Sequence, residues 1–147
     1  MRGIEFQNQE AYGKILDDLF RGIPFEKYDW YIYEDEIHGN SLCKELPQKV
    51  NGEQFQQAIR DSEYMVVFIN VQVYPKGAKT SKLEVYEDFV NSECEIVFLI
   101  ADVYYMDIYV KDKELLSIFI ENAKWCNSEN IIIKTDDNDD RTALSVI

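Results

Sequence analysis

Four segments of the chain carry apolar residues at the spacing of a helix, three or four residues apart. The first starts near Asn8, a candidate N-cap, and ends before Gly22; the second follows Asn51 and the third follows Asp112. A fourth, short helix is expected over 85–91. The apolar faces of the first three are Tyr12, Ile15, Leu16, Leu19 and Phe20; Phe55, Ala58 and Ile59; and Leu115, Leu116, Phe119, Ile120 and Ala123.

Alternating or uninterrupted apolar runs predict the strands. In the run from Tyr28 to Tyr33, aromatic and apolar residues alternate with Asp29, Tyr31 and Tyr33, which gives a strand two chemically different faces. Gly39-Asn40 is a turn signal, so 41–46 is predicted to return as the second strand of a hairpin. The other strands are expected over 3–6, 64–73, 96–101, 105–110 and 131–133.

One of these strands changes character along its length. Residues 64–69 are apolar without interruption, as in a central strand. Beyond them Asn70 and Gln72 alternate with valines, which predicts a half-exposed end.

Helices and strands interleave, but two predicted hairpins break a regular strand-helix-strand order. We therefore predict an α+β fold, with a mixed, largely antiparallel sheet and helices packed mainly on one face. No repeat or linker divides the chain, so residues 1–147 are expected to form a single α+β domain.

The charge balance narrows the classes of partner. Twenty-eight acidic residues against 15 basic ones give a net charge of −13, which repels phosphate backbones and anionic lipids. We expect no nucleic-acid and no membrane partner. The charge either attracts a basic protein or serves solubility alone. No apolar run is long enough to span a bilayer and no secretory segment opens the chain, so we predict a cytoplasmic protein with reduced cysteines.

Catalytic and metal-binding signals are weak. His38, the one histidine, lies in a predicted turn, which suits a solvated side chain better than a general base. The widely spaced Cys43, Cys94 and Cys126 lack the close pairs typical of zinc sites. The run 76–82 lacks the glycines of a phosphate-binding loop and is either a solvated basic loop or an anion contact. We predict no metal and no cofactor.

An acidic loop near the end of the chain invites comparison with a calcium site. Asp136, Asn138 and Asp140 have the spacing of the first three EF-hand ligands, but Arg141 replaces the turn glycine and Ile147 the bidentate glutamate. The loop is predicted to be an acidic turn.

A tyrosine–acid pattern on two strands is the most informative feature. If the two strands share a sheet, their tyrosines and carboxylates could form a surface for a cationic partner, because tyrosine is enriched at interfaces and acids steer cations. The alternative is a sheet face roofed by a helix, with hydroxyls reaching water at its edge. The residues predicted to contact a partner are Tyr31, Tyr33, Asp35, Tyr105, Asp107 and Tyr109.

Three functions are open at this point. The first is a non-enzymatic protein-binding module, of the inhibitor or immunity type, that offers this surface to a basic protein. The second is a small enzyme that uses carboxylates such as Glu34 or Asp107 in a pocket closed by tyrosines. The third is self-association, and the oligomeric state is left undetermined.

Several short runs in the second half of the chain form one ordered series. They are 85–94 (VYEDFVNSEC), 107–109 (DIY) with 111–114 (KDKE), and 135–146, which contains TD, ND, RT and LSV in that order. With the opening Arg2-Gly3-Ile4, this series resembles the domain-of-unknown-function 2691 family, short proteins of spore-forming Gram-positive bacteria. The resemblance covers nearly the whole chain. It implies a cytoplasmic, stand-alone domain, and it supplies no activity, cofactor or catalytic residue.

Overall fold

One antiparallel sheet of seven strands organises the part of the chain that the computed structural model describes, residues 1–39, 45–139, 141 and 143–146. The strands are β1 (Gly3–Gln7), β2 (Tyr28–His38), β3 (Lys49–Asn51), β4 (Met65–Pro75), β5 (Ile96–Ala101), β6 (Tyr105–Val110) and β7 (Glu129–Lys134). Their order across the sheet is β3-β2-β4-β5-β6-β1-β7, and every neighbouring pair is antiparallel. The α+β class and the largely antiparallel sheet are confirmed.

Within the described residues, four α-helices connect the strands. They are α1 (Ile15–Leu19), α2 (Gly52–Asp61), α3 (Tyr86–Val90) and α4 (Lys113–Trp125), and a 3-10 turn spans Phe25–Lys27. The predicted caps of the two longest helices are confirmed. Asn51 Oδ1 accepts from the main-chain N–H of Gln54 at 2.8 Å, and Asp112 Oδ1 accepts from that of Glu114 at 2.7 Å.

The first helix is shorter than its apolar pattern predicts. It begins at Ile15 and not near Asn8, whose main-chain N–H donates to the carbonyl of Tyr104 instead. Gly13 then pairs with Tyr64 as an isolated bridge. Cross-chain hydrogen bonds therefore hold 8–13 in a non-helical path despite its helical spacing.

The two faces of the sheet carry separate apolar clusters. On one face, which we call the helix face, Trp30 of β2 and Phe98 of β5 pack with buried residues of α1, α2 and α4. On the other, Tyr74 of β4 and Tyr109 of β6 pack with Phe89 of α3. The expectation that helices lie mainly on one face is not confirmed, because α3 covers the opposite side.

The second strand of the predicted hairpin falls largely outside the described residues, as do its turn residue Asn40 and Cys43. Within the described part, β2 pairs with β3 on one side and with β4 on the other. The β2–β4 register shifts between Tyr33 and Ile37, so β2 bulges there, and Glu34 adopts a positive φ of 45°.

Candidate functional site

The predicted tyrosines of β2 and β6 point to the same face of the sheet. Tyr31 and Tyr109 both pack against the cluster opposite the helix face, and the two-residue period of a strand places Tyr33, Tyr105 and Asp107 on that side. Strands β4 and β5 lie between β2 and β6, however. At about 4.8 Å per strand, the two groups are about 14 Å apart. They share a face without forming one continuous surface.

The last described residues of the chain cross this face. We call residues 143–146 the strap, and the face that they cross the strap face. Ala143 forms an antiparallel bridge with Val85, and the main-chain N–H of Leu144 donates to the carbonyl of Glu84 at 2.9 Å. The side chain of Leu144 is buried in the cluster on this face. The strap therefore roofs part of the surface that the sequence left open.

Two polar side chains of the sheet hold the strap in place. Asn70 Nδ2 donates to the carbonyl of Leu144 at 3.0 Å. At the β2 bulge, Glu34 Oε2 accepts from Ser145 Oγ at 2.8 Å and from the main-chain N–H of Val146 at 3.2 Å. The positive φ of Glu34 thus coincides with the point where β2 binds the strap.

Tyr109 is fully buried beneath this cover, and the prediction that it contacts a partner does not fit that burial. Its hydroxyl donates to Asp139 Oδ2 at 3.0 Å and accepts from Lys134 Nζ at 3.1 Å. Burial raises the pKa of the Tyr109 hydroxyl to about 12. Tyr109 is consequently a neutral hydrogen-bonding part of the interior.

A buried ammonium group is the centre of this interior. Lys134 has a side chain only 6% exposed, and its Nζ lies 2.7 Å from Asp107 Oδ1 and 3.2 Å from Asp139 Oδ1. We call Lys134, Asp107, Tyr109 and Asp139 the lysine cluster. Arg141 completes the pairing of Asp107, with Nη2 at 3.1 Å from Oδ2. Asp107 is therefore bound on both oxygens and is not open to a partner as predicted.

Lys134 and Asp139 of the lysine cluster keep their charged forms. Burial lowers the pKa of Lys134, but the hydrogen bond and charge of Asp107 outweigh it and leave that pKa raised. Burial likewise opposes the ionised form of Asp139, and the hydrogen bond from Lys134 outweighs it, so the pKa of Asp139 is lowered. A protonated Lys134 beside an ionised Asp139 suits an anchor for this segment better than a proton-transfer site.

A cleft of about 740 Å³ opens on the strap face beside the strap. Its base is formed by side chains of the sheet, namely Tyr33, Asn70 and Gln72. Its walls are residues 80–84 on one side and Leu144 and Ser145 on the other. This volume lies within the range of ligand-binding sites in proteins, about 300–1,000 Å³.

The base of the cleft contains two buried carboxamides. Asn70 is 2% exposed and Gln72 is 4% exposed, which corrects the prediction of a half-exposed end of this strand. Gln72 Nε2 donates to Asn70 Oδ1 at 3.4 Å, and Asn70 Nδ2 in turn donates to the main-chain carbonyl of Leu144 in the strap. The sequence pattern showed the two amides but not the strap that helps to bury them, because the strap is far from them in the chain.

The mouth of the cleft carries part of the predicted tyrosine–acid group. Tyr33 is half-buried and Asp35 is exposed, and both line the cleft. Tyr31 lies behind Tyr33, with ring centroids 6.4 Å apart and planes 9° from parallel. Burial raises the pKa of Tyr33, so its phenol is neutral. Three of the six predicted residues are therefore at or next to one cavity.

Tyr105 lies at a second cleft, separate from the one that Tyr33 and Asp35 line. It is 52% exposed and lines a smaller cleft of about 360 Å³ with Glu5, Ile132 and Arg141. Asp107 also lines this cleft, although its two oxygens face the cations described above.

The other motifs have local explanations. His38 Nε2 lies 2.9 Å from Glu36 Oε2 in an exposed pair. Within the basic loop, the main-chain N–H of Gly77 donates to Asp29 Oδ2 at 3.0 Å. In the acidic turn, Asn138 Oδ1 accepts from the main-chain N–H of Thr135 at 2.7 Å, which uses a would-be calcium ligand within the chain.

No group of three histidine, cysteine or carboxylate side chains in the described part of the chain is arranged to hold a metal ion. Cys94 is buried, and burial raises its pKa to about 12. Among the described helices, none is long and apolar enough to cross a membrane.

The described residues form an α+β fold in which one antiparallel sheet carries an apolar cluster on each face. The chain belongs to the family described as a protein of unknown function, DUF2691, whose sequence model matches residues 1–145. It is also similar to the uncharacterized protein YncE of Bacillus subtilis (strain 168), with 31% identity over 152 residues that cover 99% of each chain. No solved structure matches the chain.

Proposed function

We propose that this chain is a non-enzymatic protein-binding module that receives a basic protein at the mouth of the cleft. The observation that carries the proposal is the position of Tyr33 and Asp35 at the rim of a cavity of about 740 Å³, with Tyr31 stacked behind. Aromatic side chains supply contact area at an interface, and nearby acids steer a cationic partner.

The charge of the whole chain supports a basic partner. A net charge of −13 creates a field that speeds the approach of cations and slows that of anions. Among the described residues that line the cleft, the acids Glu34, Asp35 and Glu84 outnumber Lys82, which is paired with Glu84 at 2.9 Å. The rim is therefore acidic where the partner would arrive.

Tyr105 is a secondary contact in this proposal. Its exposed ring lies on the same face as the cleft but about 14 Å away across β4 and β5. A partner that spans both places would cover much of the strap face. Tyr109 takes no direct part because it is buried.

The cleft also fits the second candidate, a small enzyme that uses carboxylates and tyrosines, because enzyme sites are concave. The two carboxylates considered for that chemistry, Glu34 and Asp107, already have partners within the chain. Glu34 Oε2 holds Ser145 and Val146, and both oxygens of Asp107 hold cations. Binding therefore has more support than catalysis.

The test is affinity capture from a native cytosolic extract with three forms of the full chain. They are the wild type, Asp35→Lys, and the control Asp61→Lys at the exposed end of α2. The two variants change the net charge equally, so they differ only in where the charge is reversed. We expect a stoichiometric basic protein on the wild type and the control, lost from Asp35→Lys and weakened by moderate salt.

Equal capture by all three forms would contradict the cleft mouth as the binding surface. Retention of an acidic protein, with no response to salt, would contradict the electrostatic basis of the proposal.

A further inference from the structure

The Gln72 side chain at the base of the cleft has unused hydrogen-bonding capacity. One N–H of its amide reaches Asn70 Oδ1, while no residue that the structure describes donates to Gln72 Oε1. The side chain is 4% exposed and lines the cleft. Gln72 Oε1 is not among the buried atoms of the described residues that lack a partner, so it is open to the cleft and can accept a hydrogen bond from a ligand that enters it.

The amide selects the chemistry of that ligand. Its carbonyl oxygen accepts and its second N–H donates, in one plane and close together. The N–H and C=O of one residue in an extended peptide point to the same side and offer the complementary donor and acceptor. A bare anion could use only the N–H, and a bare cation only the oxygen.

The rest of the cleft fits a peptide that carries a positive side chain. Leu83 and Leu144 supply apolar walls, and Tyr33 supplies an aromatic one. Glu34 and Asp35 stand at the edge of β2, where the lysine or arginine of a bound peptide would extend toward solvent. Long basic side chains commonly place their stems on apolar surface and their charges in water.

We propose that the cleft binds an extended peptide segment of the basic partner, and that the Gln72 carboxamide hydrogen-bonds to its main chain. This inference rests on the proposed function and names the part of the partner that is recognised. Asn70 acts as a positioning residue, because its contact with the strap orients the amide of Gln72.

The experiment uses displayed random heptapeptides selected on the full-length chain. The best peptide is titrated calorimetrically into the wild type, Gln72→Met and the control Gln57→Met, which lies exposed on α2 across the sheet. Methionine keeps the length of glutamine and removes its donor and acceptor. We expect lysine- or arginine-containing peptides, about tenfold weaker binding to Gln72→Met, and no change with Gln57→Met.

A series of peptides, each methylated on one main-chain nitrogen, identifies the bond itself. One of them should bind the wild type about tenfold more weakly and bind Gln72→Met as well as the unmethylated peptide does. Thermal unfolding separates binding from folding, because a folding defect from the lost bond to Asn70 Oδ1 would lower the melting temperature, whereas a defect in binding alone would leave it unchanged.

Two outcomes would overturn the inference: no peptide enriched on the wild type, or equal affinity for the wild type and Gln72→Met. Neither touches the proposed function, which stands or falls with the Asp35→Lys capture. A partner captured normally by Gln72→Met but lost from Asp35→Lys would show that it binds at the rim and not at the base.

Discussion

The two faces of the sheet both carry an apolar cluster but differ in how much polar pairing they bury. On the helix face, the Trp30 ring packs against Phe25 at 4.9 Å and Phe55 at 4.8 Å, whose own centroids are 6.2 Å apart, and Phe20 meets it edge-on at 5.2 Å. On the strap face, the lysine cluster and the two carboxamides lie beside a smaller apolar cluster that contains Tyr74 and Phe89. The helix face obtains its stability from apolar burial, whereas the strap face depends on specific polar partners.

This difference teaches where function can be placed. Apolar packing is insensitive to the exact partner, provided that the volume is filled. Buried polar groups must each be satisfied within the fold, whereas an accessible one at the base of a cavity, such as Gln72 Oε1, can bond to a ligand. The variants below test whether the faces respond as this distinction requires.

The largest effect is expected on the helix face. Trp30→Ala removes a fully buried ring and should lower the free energy of unfolding by about 4 kcal/mol. Denaturant unfolding followed by circular dichroism measures it. A loss below about 1 kcal/mol would mean that this stack is not the principal apolar core.

The second largest effect is expected in the lysine cluster. Lys134→Met leaves Asp107 and Asp139 buried without the ammonium between them, and it should cost about 3 kcal/mol. The control Lys124→Met removes an exposed lysine 3.7 Å from Glu121 and should cost less than about 0.5 kcal/mol. Equal losses from both variants would deny that burial makes the cluster sensitive.

Alkaline pH should lower the free energy of unfolding through Tyr109 on the strap face. The pKa of Tyr109 is raised to about 12 in the fold, against an unfolded value of about 10. The unfolded chain therefore releases this proton first, and stability present below pH 10 is lost as the pH rises toward 12.

The raised pKa of Lys134 acts in the same direction. Urea unfolding at pH 8 and pH 11 should show a decrease that is about 1–2 kcal/mol smaller in Tyr109→Phe than in the wild type. An identical decrease in both would remove Tyr109 as a source of the pH dependence.

The smallest effect on global stability is expected at the β2 bulge. Glu34→Gln weakens the acceptor of Ser145 Oγ and of the Val146 N–H and should change the free energy of unfolding by less than about 1 kcal/mol. The local effect should be larger. Hydrogen exchange at Val146 should accelerate several-fold while amides of β5 keep their protection, and unchanged exchange at Val146 would contradict the role given to Glu34.

Sequence reasoning was most successful where a local pattern coincided with burial. The alternation of Trp30 with Tyr31 predicted a strand with two faces, and Asn51 and Asp112 were recognised as caps from their own neighbours in the chain. It failed for the first helix, since the main chain of Asn8 bonds to Tyr104, which is remote in sequence. Local propensity has no access to such a partner.

The candidate site was predicted less well from the sequence than the fold was. Of the residues predicted to contact a partner, Tyr33 and Asp35 line the larger cleft, whereas Tyr105 and Asp107 line a different one. Nothing in the sequence indicated that Lys134 and Gln72 belong to the site. A lone lysine at the end of a strand and a glutamine between valines carry no signal of their own. Their meaning depends on which residues lie across the sheet.

The amino-acid sequence by itself determined the class of fold, the strands and helices with strong periodicity, and the acidic character of the surface, because these depend on residue type and on near neighbours. Only the tertiary structure decided that the strap covers the tyrosine face, that Tyr109 is interior and that Gln72 lies at the base of a cleft. The reason is physical: burial and pairing on this face are created by the end of the chain returning over strands β2, β4 and β6, and contacts of that range leave no periodic trace in the sequence.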